Sequence, residues 1–298
     1  MTIRNDVDHE SAWYRYWQPG RSHSGGGCLP ARWAPIDAVQ RAAWAGFAED
    51  LPREASVLDL ATGDGRVLAM LKDARSDIEA TGVDFAPQLP PPPPGTTSRG
   101  GIRMEELPFE ENSFDAVTSQ FGFEYGDVET IANETARVLR PGGAAGLIVH
   151  RGDGPILAHN AARAEQIDFV LSGELPSREH LGPDHLADTM SAAGRRVREA
   201  VDAYGKEGVA WEIAEALRRS VLLVQRAGAD EAWLAIGTIL DEARGERDRI
   251  ASLSAACGVA DDRDRLDAAF GSAGLQVVSR TSLEADGDAF ADMIRLRA

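Results

Sequence analysis

The chain has 298 residues, 43% hydrophobic and 27% charged, with a formal net charge of −17 and two cysteines. That length fits one large domain or a core domain with an insertion, and so acidic a chain with no Lys/Arg run argues against nucleic acid and anionic membranes, whose phosphates need basic partners. No stretch approaches the roughly 18 apolar residues of a membrane helix, the acidic opening MTIRNDVDHE does not read as a signal peptide, and Cys28 and Cys257 are too few for a disulfide framework, so a cytoplasmic location and no membrane insertion are expected.

Residues 1–50 read as an N-terminal helical, aromatic segment. Trp13, Trp17, Trp33 and Trp44 lie there, broken by Pro19-Gly20 and Gly25-Gly26-Gly27. Such a segment packs on something larger, or forms a flap over a ligand site.

From residue 51 to 153 the rhythm is that of alternating strands and helices. Ser56 to Ala61 is a short apolar run ending in glycines, as a buried parallel strand should be. Val67, Leu68 and Leu71 then keep helical spacing. Ile78 to Val83 reads as a second strand closed by Asp84, Gly101 to Met104 as a weaker one, and Phe114 to Phe121 as a clear one. Between Asp84 and Gly101 the prolines Pro90 to Pro94 forbid an internal helix and favour an extended connector. Val128, Ile131, Thr135 and Val138 place one helix face inward, and Arg140-Pro141-Gly142-Gly143 should stop that helix. Ala144 to His150 is a further strand.

Residues 154–256 carry little strand signal. Ile213, Leu217, Val221 and Val224 keep helical spacing, as do Trp233, Ile236, Leu240 and Ala243, so three to five helices are expected. They could cap the sheet, form a lid or substrate region, or make a homodimer surface. Residues 257–298 then read as a helix through Leu266 and Phe270, followed by strands Leu275 to Leu283 and Phe290 to Leu296 that return to the core. The fold expected is α/β: a Rossmann-like, seven-stranded, mostly parallel sheet with helices on both faces, plus a helical insertion before the last two strands.

The chemistry concentrates in Val57-Leu58-Asp59-Leu60-Ala61-Thr62-Gly63-Asp64-Gly65-Arg66-Val67. A strand enters, glycines permit close backbone approach, and a helix N-terminus follows. Asp84, closing the next strand, can accept two hydrogen bonds from a ribose diol. Together they point to a nucleoside-containing cofactor. A dinucleotide loop needs G-x-G-x-x-G, and here Leu68 holds the third glycine's place. Asp64 and Asp59 would also repel a pyrophosphate and suit a cation instead. Two unit charges about 4 Å apart interact by about 4 kcal/mol at an effective dielectric of about 20.

VLDLATGDGRV resembles the first motif of class I S-adenosylmethionine-dependent methyltransferases, especially the ubiquinone/menaquinone-biosynthesis type, with Ala61 in place of the first glycine. GVDFAP resembles the second motif. Glu105 to Phe109 followed by Asn112 to Val117 is similar to the third and fourth, and Arg137 to Gly143 to the motif before the fifth strand. The resemblance implies that Ala61, Gly63 and Gly65, with Asp59 and Thr62 in the same loop, lie by the methionine moiety. It implies that Asp84 holds the ribose, that Phe85 packs on adenine, and that Met104 and Glu105 lie at the adenine edge. Gln120, Phe121 and Gly122 would end the fourth strand beside the reactive methyl. Arg103 stands where many relatives have aspartate.

The activity implied is methyl transfer from S-adenosylmethionine to a small molecule at oxygen, nitrogen or carbon, by in-line displacement, with S-adenosylhomocysteine as product. A base is needed only if the acceptor must lose a proton. His150, ending a strand, is then the candidate, and Glu124 and Tyr125 could orient the acceptor. His180 and His185, beside Glu179 and Asp184, match no metal-ligand spacing, so no metal is expected. Two other readings stay open: a catalytically silent S-adenosylmethionine-binding partner protein, and a nicotinamide-dependent oxidoreductase.

Overall fold

The computed structural model describes Trp13 and residues 34–298. Cys28, Trp17, Trp33 and the glycine breaks of the first segment lie outside the described residues. The chain divides into two compact units, Met1–Ala158 with Ser252–Ala298, and His159–Ala251.

The first unit is built on a seven-stranded sheet. Its strands are β1 (Ser56–Leu60), β2 (Glu79–Val83), β3 (Thr97–Arg99), β4 (Phe114–Gln120), β5 (Leu139–His150), β6 (Gln276–Ala285) and β7 (Asp288–Arg297). They lie in the order β3-β2-β1-β4-β5-β7-β6. All pairings are parallel except those of β7, which runs antiparallel to both neighbours. Strand order reverses between β1 and β4, so the connections leaving these adjacent strands diverge. In a doubly wound sheet that divergence opens the crevice where ligands bind.

Both faces are covered, and the period of two along each strand divides the core. Val57 of β1 and Ala116 of β4 face one cluster with Trp44, Phe47, Leu68 and Leu71. These come from α1 (Ala34–Glu49) and α2 (Arg66–Ala74). Leu58, Leu60 and Val117 face the other, with Ile131, Val138, Leu266 and Phe270. Those come from α3 (Val128–Val138) and α8 (Arg263–Ser272). α1 approaches β5 so closely that a Cβ on Gly146 would stand 2.9 Å from Phe47 Cε2 and 3.1 Å from Trp44 Cζ3.

Two local expectations need correction. The weak strand expected at Gly101 to Met104 lies earlier, at Thr97–Arg99, paired in parallel with Thr81 to Val83 and tied by the Thr81 and Thr97 hydroxyls at 3.0 Å. Gly101, at φ 73, cannot hold extended geometry and turns the chain instead. Arg140 to Gly143 does not end α3, which stops at Val138. It lies inside β5, where the pairing with β4 shifts register between Phe114 and Ala116. The connection between β6 and β7 is a tight hairpin. Asp286 and Gly287 both take positive φ (55 and 91), the geometry that an Asp-Gly pair supplies. No helix separates β2 from β3, as the proline run requires.

The second unit is helical, from α4 (Pro155–Leu171), α5 (Leu186–Tyr204), α6 (Val209–Ala227) and α7 (Ala229–Asp261). Within it Val170, Leu181, Ala200, Leu217, Val221 and Ile236 form one apolar cluster. Arg249 is buried there, its charge met by Glu246 and its Nη2 donating to Asn160 Oδ1 at 2.8 Å, as a buried cation requires. α7 continues past residue 256 to Asp261.

Trp44 is fully buried and its Nε1 donates to Gln120 Oε1 at 2.7 Å. Trp44→Ala should cost about 3–5 kcal/mol of stability, read as an earlier midpoint in equilibrium urea unfolding. Trp44→Phe, which keeps most of the volume and loses the donor, should cost clearly less.

Candidate functional site

The crevice between the ends of β1 and β4 is built mainly from backbone. After Leu60 the chain turns through Ala61 at φ 52, Gly63 at φ 53 and Gly65 at φ 77. Thr62 N donates to Val83 O at 2.9 Å and Gly65 N to Thr62 O at 2.8 Å, so the loop folds over the end of β2. Gly82 makes that possible, because a Cβ there would stand 2.4 Å from Thr62 Oγ1. α2 starts immediately afterwards with Gly65 as its cap and no side-chain cap bond. Asp64 Oδ1 accepts from Arg66 N at 3.1 Å, so a carboxylate already meets the first amide of the helix. Across the crevice, Phe121 also takes a positive φ of 56. Non-glycine residues in that region cost on the order of 1–3 kcal/mol and cluster at functional sites. Gly122 follows and abuts the loop, since a Cβ on it would meet Ala61 Cβ at 2.4 Å.

Asp84 joins the pieces. Its Oδ2 accepts from Gly63 N at 2.9 Å and its Oδ1 from Ala86 N at 2.9 Å. Burial raises its pKa, against those two amides. Asp59 lies deeper, on the face of β1 that α1 and α2 cover. Its Oδ1 accepts from Thr118 Oγ1 at 2.8 Å, whereas Oδ2 and the neighbouring Thr62 hydroxyl lack a partner of good geometry. Burial pushes the Asp59 carboxyl up to about 7. The Thr62 and Thr118 hydroxyls oppose the rise, and the nearby charges of Asp84 and Asp64 add to it. The carboxyls of Asp59, Asp64 and Asp84 thus gather around one glycine turn, and the crowding of acids is part of what raises Asp59.

The other residues singled out by sequence fall around this turn or beside it. Phe85 is 37% exposed, with the Arg103 guanidinium 5.4 Å from its ring centroid. The loop carrying Arg103, Met104 and Glu105 returns to Asp84 through Ile102 N, which donates to Asp84 O at 2.9 Å. Glu105 spends Oε1 on Asp127 N at 3.1 Å, next to the start of α3. Gln120 has its carbonyl fixed by Trp44, which leaves the amide N–H pair as donors. At the end of β5, His150 Nδ1 lies 2.7 Å from Glu124 Oε1, and the Phe121 ring stacks on the imidazole at a centroid distance of 4.1 Å. The Tyr125 ring stands edge-on to His150 at 5.9 Å, and Trp13 edge-on to Tyr125 at 5.5 Å. Glu124 therefore faces the histidine directly.

Several later motif residues do scaffolding work. Arg137 donates to the Leu107 and Phe109 carbonyls and pairs with Glu134, whose Oε2 accepts from Leu107 N. Asp115 accepts from Ser56 N at 2.9 Å and pairs with Arg140, pinning the start of β1 to β4. Pro93 packs on the cofactor-type turn, standing 2.6 Å from where a Gly65 Cβ would be. Of the remaining candidates, Cys257 is buried, and burial with the charges of Glu124 and Asp261 pushes its thiol up to about 12, which suppresses the thiolate. His180 and His185 lie in the helical unit with ring centroids 6.2 Å apart. Among the described residues no group of three or more His, Cys, Asp or Glu is arranged to hold a metal. No helix there is long and apolar enough to cross a membrane.

Comparison with known proteins agrees with this architecture. Residues 58–147 match the model of a methyltransferase domain. The demethylmenaquinone methyltransferase of Thermus thermophilus is 38% identical over 189 residues, covering 54% of this chain and 85% of that protein. The chain belongs to the class I S-adenosylmethionine-dependent methyltransferases. The demethylmenaquinone methyltransferase of Deinococcus radiodurans is 32% identical over 192 residues, covering 57% and 79%. Among solved structures, the 1,6-didemethyltoxoflavin-N1-methyltransferase of Burkholderia thailandensis matches at 25% identity with a TM-score of 0.33, over 40% of this chain and 55% of that one.

For this methyltransferase the buried Asp59 has a consequence for stability. Its unfolded pKa is near 3.8 and its folded value about 7, so between them the folded state holds a proton that the unfolded state has lost. The stability that protonation supports is complete below the lower value and lost as pH rises through the upper one. Asp59→Asn should therefore raise the thermal midpoint of the ligand-free protein at about pH 8 relative to wild type, with little change at about pH 4. Differential scanning fluorimetry across that range reads the difference; an equal effect at both ends would remove the assignment.

Proposed function

We propose that this enzyme binds S-adenosylmethionine in the crevice between β1 and β4 and methylates a small aromatic acceptor of the quinone type. One observation carries the cofactor reading. Asp84 closes β2 while its carboxylate also grips the glycine turn, so one residue fixes the turn and faces the crevice. The buried Asp59 carboxyl and Thr62 hydroxyl, with Asp64 nearby, fit a donor whose sulfonium and α-ammonium are positively charged. Ala61, Gly63 and Gly65 let the backbone lie against the methionine part. Asp84 takes the ribose hydroxyls, Phe85 covers adenine, and Met104 and Glu105 border it. Gln120 and Phe121 flank the reacting end. When bound, S-adenosylmethionine supplies the methyl group and the thioether leaving group. The protein's task is then to align, exclude water and receive any proton released.

The acceptor class follows from the two relatives named as demethylmenaquinone methyltransferases, covered over 85% and 79% of their lengths. Nucleophilic attack by a quinone ring needs its reduced, hydroxylated form, because the oxidised ring is an electrophile.

Two measurements test this reading. Tritium from methyl-labelled S-adenosylmethionine should pass into chemically reduced demethylmenaquinone or 1,4-naphthohydroquinone, and label confined to the donor would contradict it. Asp84→Ala should weaken S-adenosylhomocysteine binding by about tenfold or more, since two hydrogen bonds to a charged group are worth roughly 1.5–3 kcal/mol each. Isothermal titration calorimetry reads the change, and an unaltered affinity would remove the ribose assignment.

A further inference from the structure

At the ends of β4 and β5 a carboxylate and an imidazole are arranged more specifically than strand ends require. Glu124 is fully buried and His150 is 7% exposed. Glu124 Oε1 accepts from the backbone N of His150 at 2.9 Å and meets Nδ1 of the same residue at 2.7 Å. An oxygen that already accepts one N–H at that distance acts as acceptor for the ring as well, so Nδ1 carries the hydrogen. The lone pair of the neutral ring is then on Nε2, which has no hydrogen-bond partner among the described residues. Phe121 stacks on the ring and Tyr125 closes its edge, so the imidazole has one orientation. A chain of close contacts leads from it to the cofactor turn: His150 to Phe121, then Gly122 against Ala61.

A second, independent feature is the other oxygen of Glu124. Oε2 is buried with no hydrogen-bond partner. Such a group costs free energy while the adjacent imidazole is neutral. A carboxylate kept at that cost against the ring it orients has its charge available to an imidazolium formed at Nε2. Asp292, the next acid along β7, is already paired with Arg151 and Arg263, and the buried Cys257 thiol stays neutral, so neither competes for the proton.

We infer that His150 is the general base of the methyl transfer, that Glu124 is its positioning residue, and that the acceptor is a planar aromatic whose hydroxyl proton passes to Nε2. This deepens the function proposed above and rests on it. The O–H bond breaks and its proton goes to Nε2. The electron pair left on the acceptor, at oxygen or through conjugation at a ring carbon, forms the bond to the methyl group. The methyl–sulfur bond breaks with its pair remaining on sulfur. If a ring carbon is methylated, the hydrogen it carried leaves afterwards as a proton to water. Glu124 thus belongs behind the base and outside the acceptor's own contacts.

The test uses the full chain. Long-range proton–nitrogen NMR of protein labelled at histidine nitrogen, with His150 assigned by its loss in His150→Gln, should show the Nδ1–H tautomer. An Nε2–H tautomer would overturn the proposal whatever the acceptor. Glu124→Gln keeps an oxygen to accept both N–H groups and removes only the charge. It should lower kcat with 1,4-naphthohydroquinone by about tenfold or more while KM for S-adenosylmethionine and the affinity for S-adenosylhomocysteine stay within about twofold. A purely structural pair predicts unchanged kcat in Glu124→Gln, and that result would also overturn it. Loss of S-adenosylhomocysteine binding by the folded wild-type protein would instead strike the cofactor site itself.

Discussion

The structure turns on one carboxylate held by two backbone amides. Asp84 accepts from Gly63 N on one side and Ala86 N on the other, while nearly out of water. The first bond locks the glycine turn after β1 to the end of β2. The second bends the chain away from the sheet, towards the proline connector. Burial raises the cost of its charge and the amides lower it, so the carboxylate is retained at a position where apolar packing would be cheaper. Its position at the end of β2, against the turn that follows β1, makes that cost intelligible, because one side chain there holds two backbone segments together. The paired glycines and the positive-φ residues Ala61 and Phe121 then bring two loops into contact across the same crevice.

Around that point the recognisable motifs divide into two kinds of work. Asp59, Thr62, Gly63, Gly65 and Asp84 form the turn. Asp115, Glu134, Arg137 and Arg140 do not approach it. They fasten the loop before β4, the start of β1 and the end of α3 to one another. A cation binding two carbonyls and a carboxylate, as Arg137 does, satisfies several buried acceptors at once. Such residues hold the scaffold together and say nothing about the acceptor.

Much of the core was legible in the sequence because its signals are local. Short apolar runs ended by glycine or aspartate marked β1, β2 and β4, and the helical spacing of Val128, Ile131, Thr135 and Val138 marked α3. The seven-stranded sheet and the insertion before its last two strands followed from that alternation. The misplacement of β3 has a physical origin: Thr97-Ser98-Arg99 is polar and half-exposed at the sheet edge, so it carries no apolar run, and its register comes from pairing with β2. The bond from Trp44 to Gln120 spans 76 residues and the Glu124–His150 pair 26. Neither has a spacing rule, so each partner was visible alone and the relation between them was not. The packing of Pro93 on Gly65 escaped for the same reason. The proline run predicts an extended connector but not what it lies against.

The central claim is that the turn after β1 and the carboxylate closing β2 together grip the adenosyl half of a positively charged methyl donor. Competitive calorimetry at neutral pH tests it most directly, titrating the purified full chain with S-adenosylmethionine, its demethylated product and NAD in turn. The account predicts saturable one-to-one binding of the first two, each displacing the other, and no heat from NAD. A folded protein that ignores both adenosyl compounds, or that prefers NAD, would contradict it.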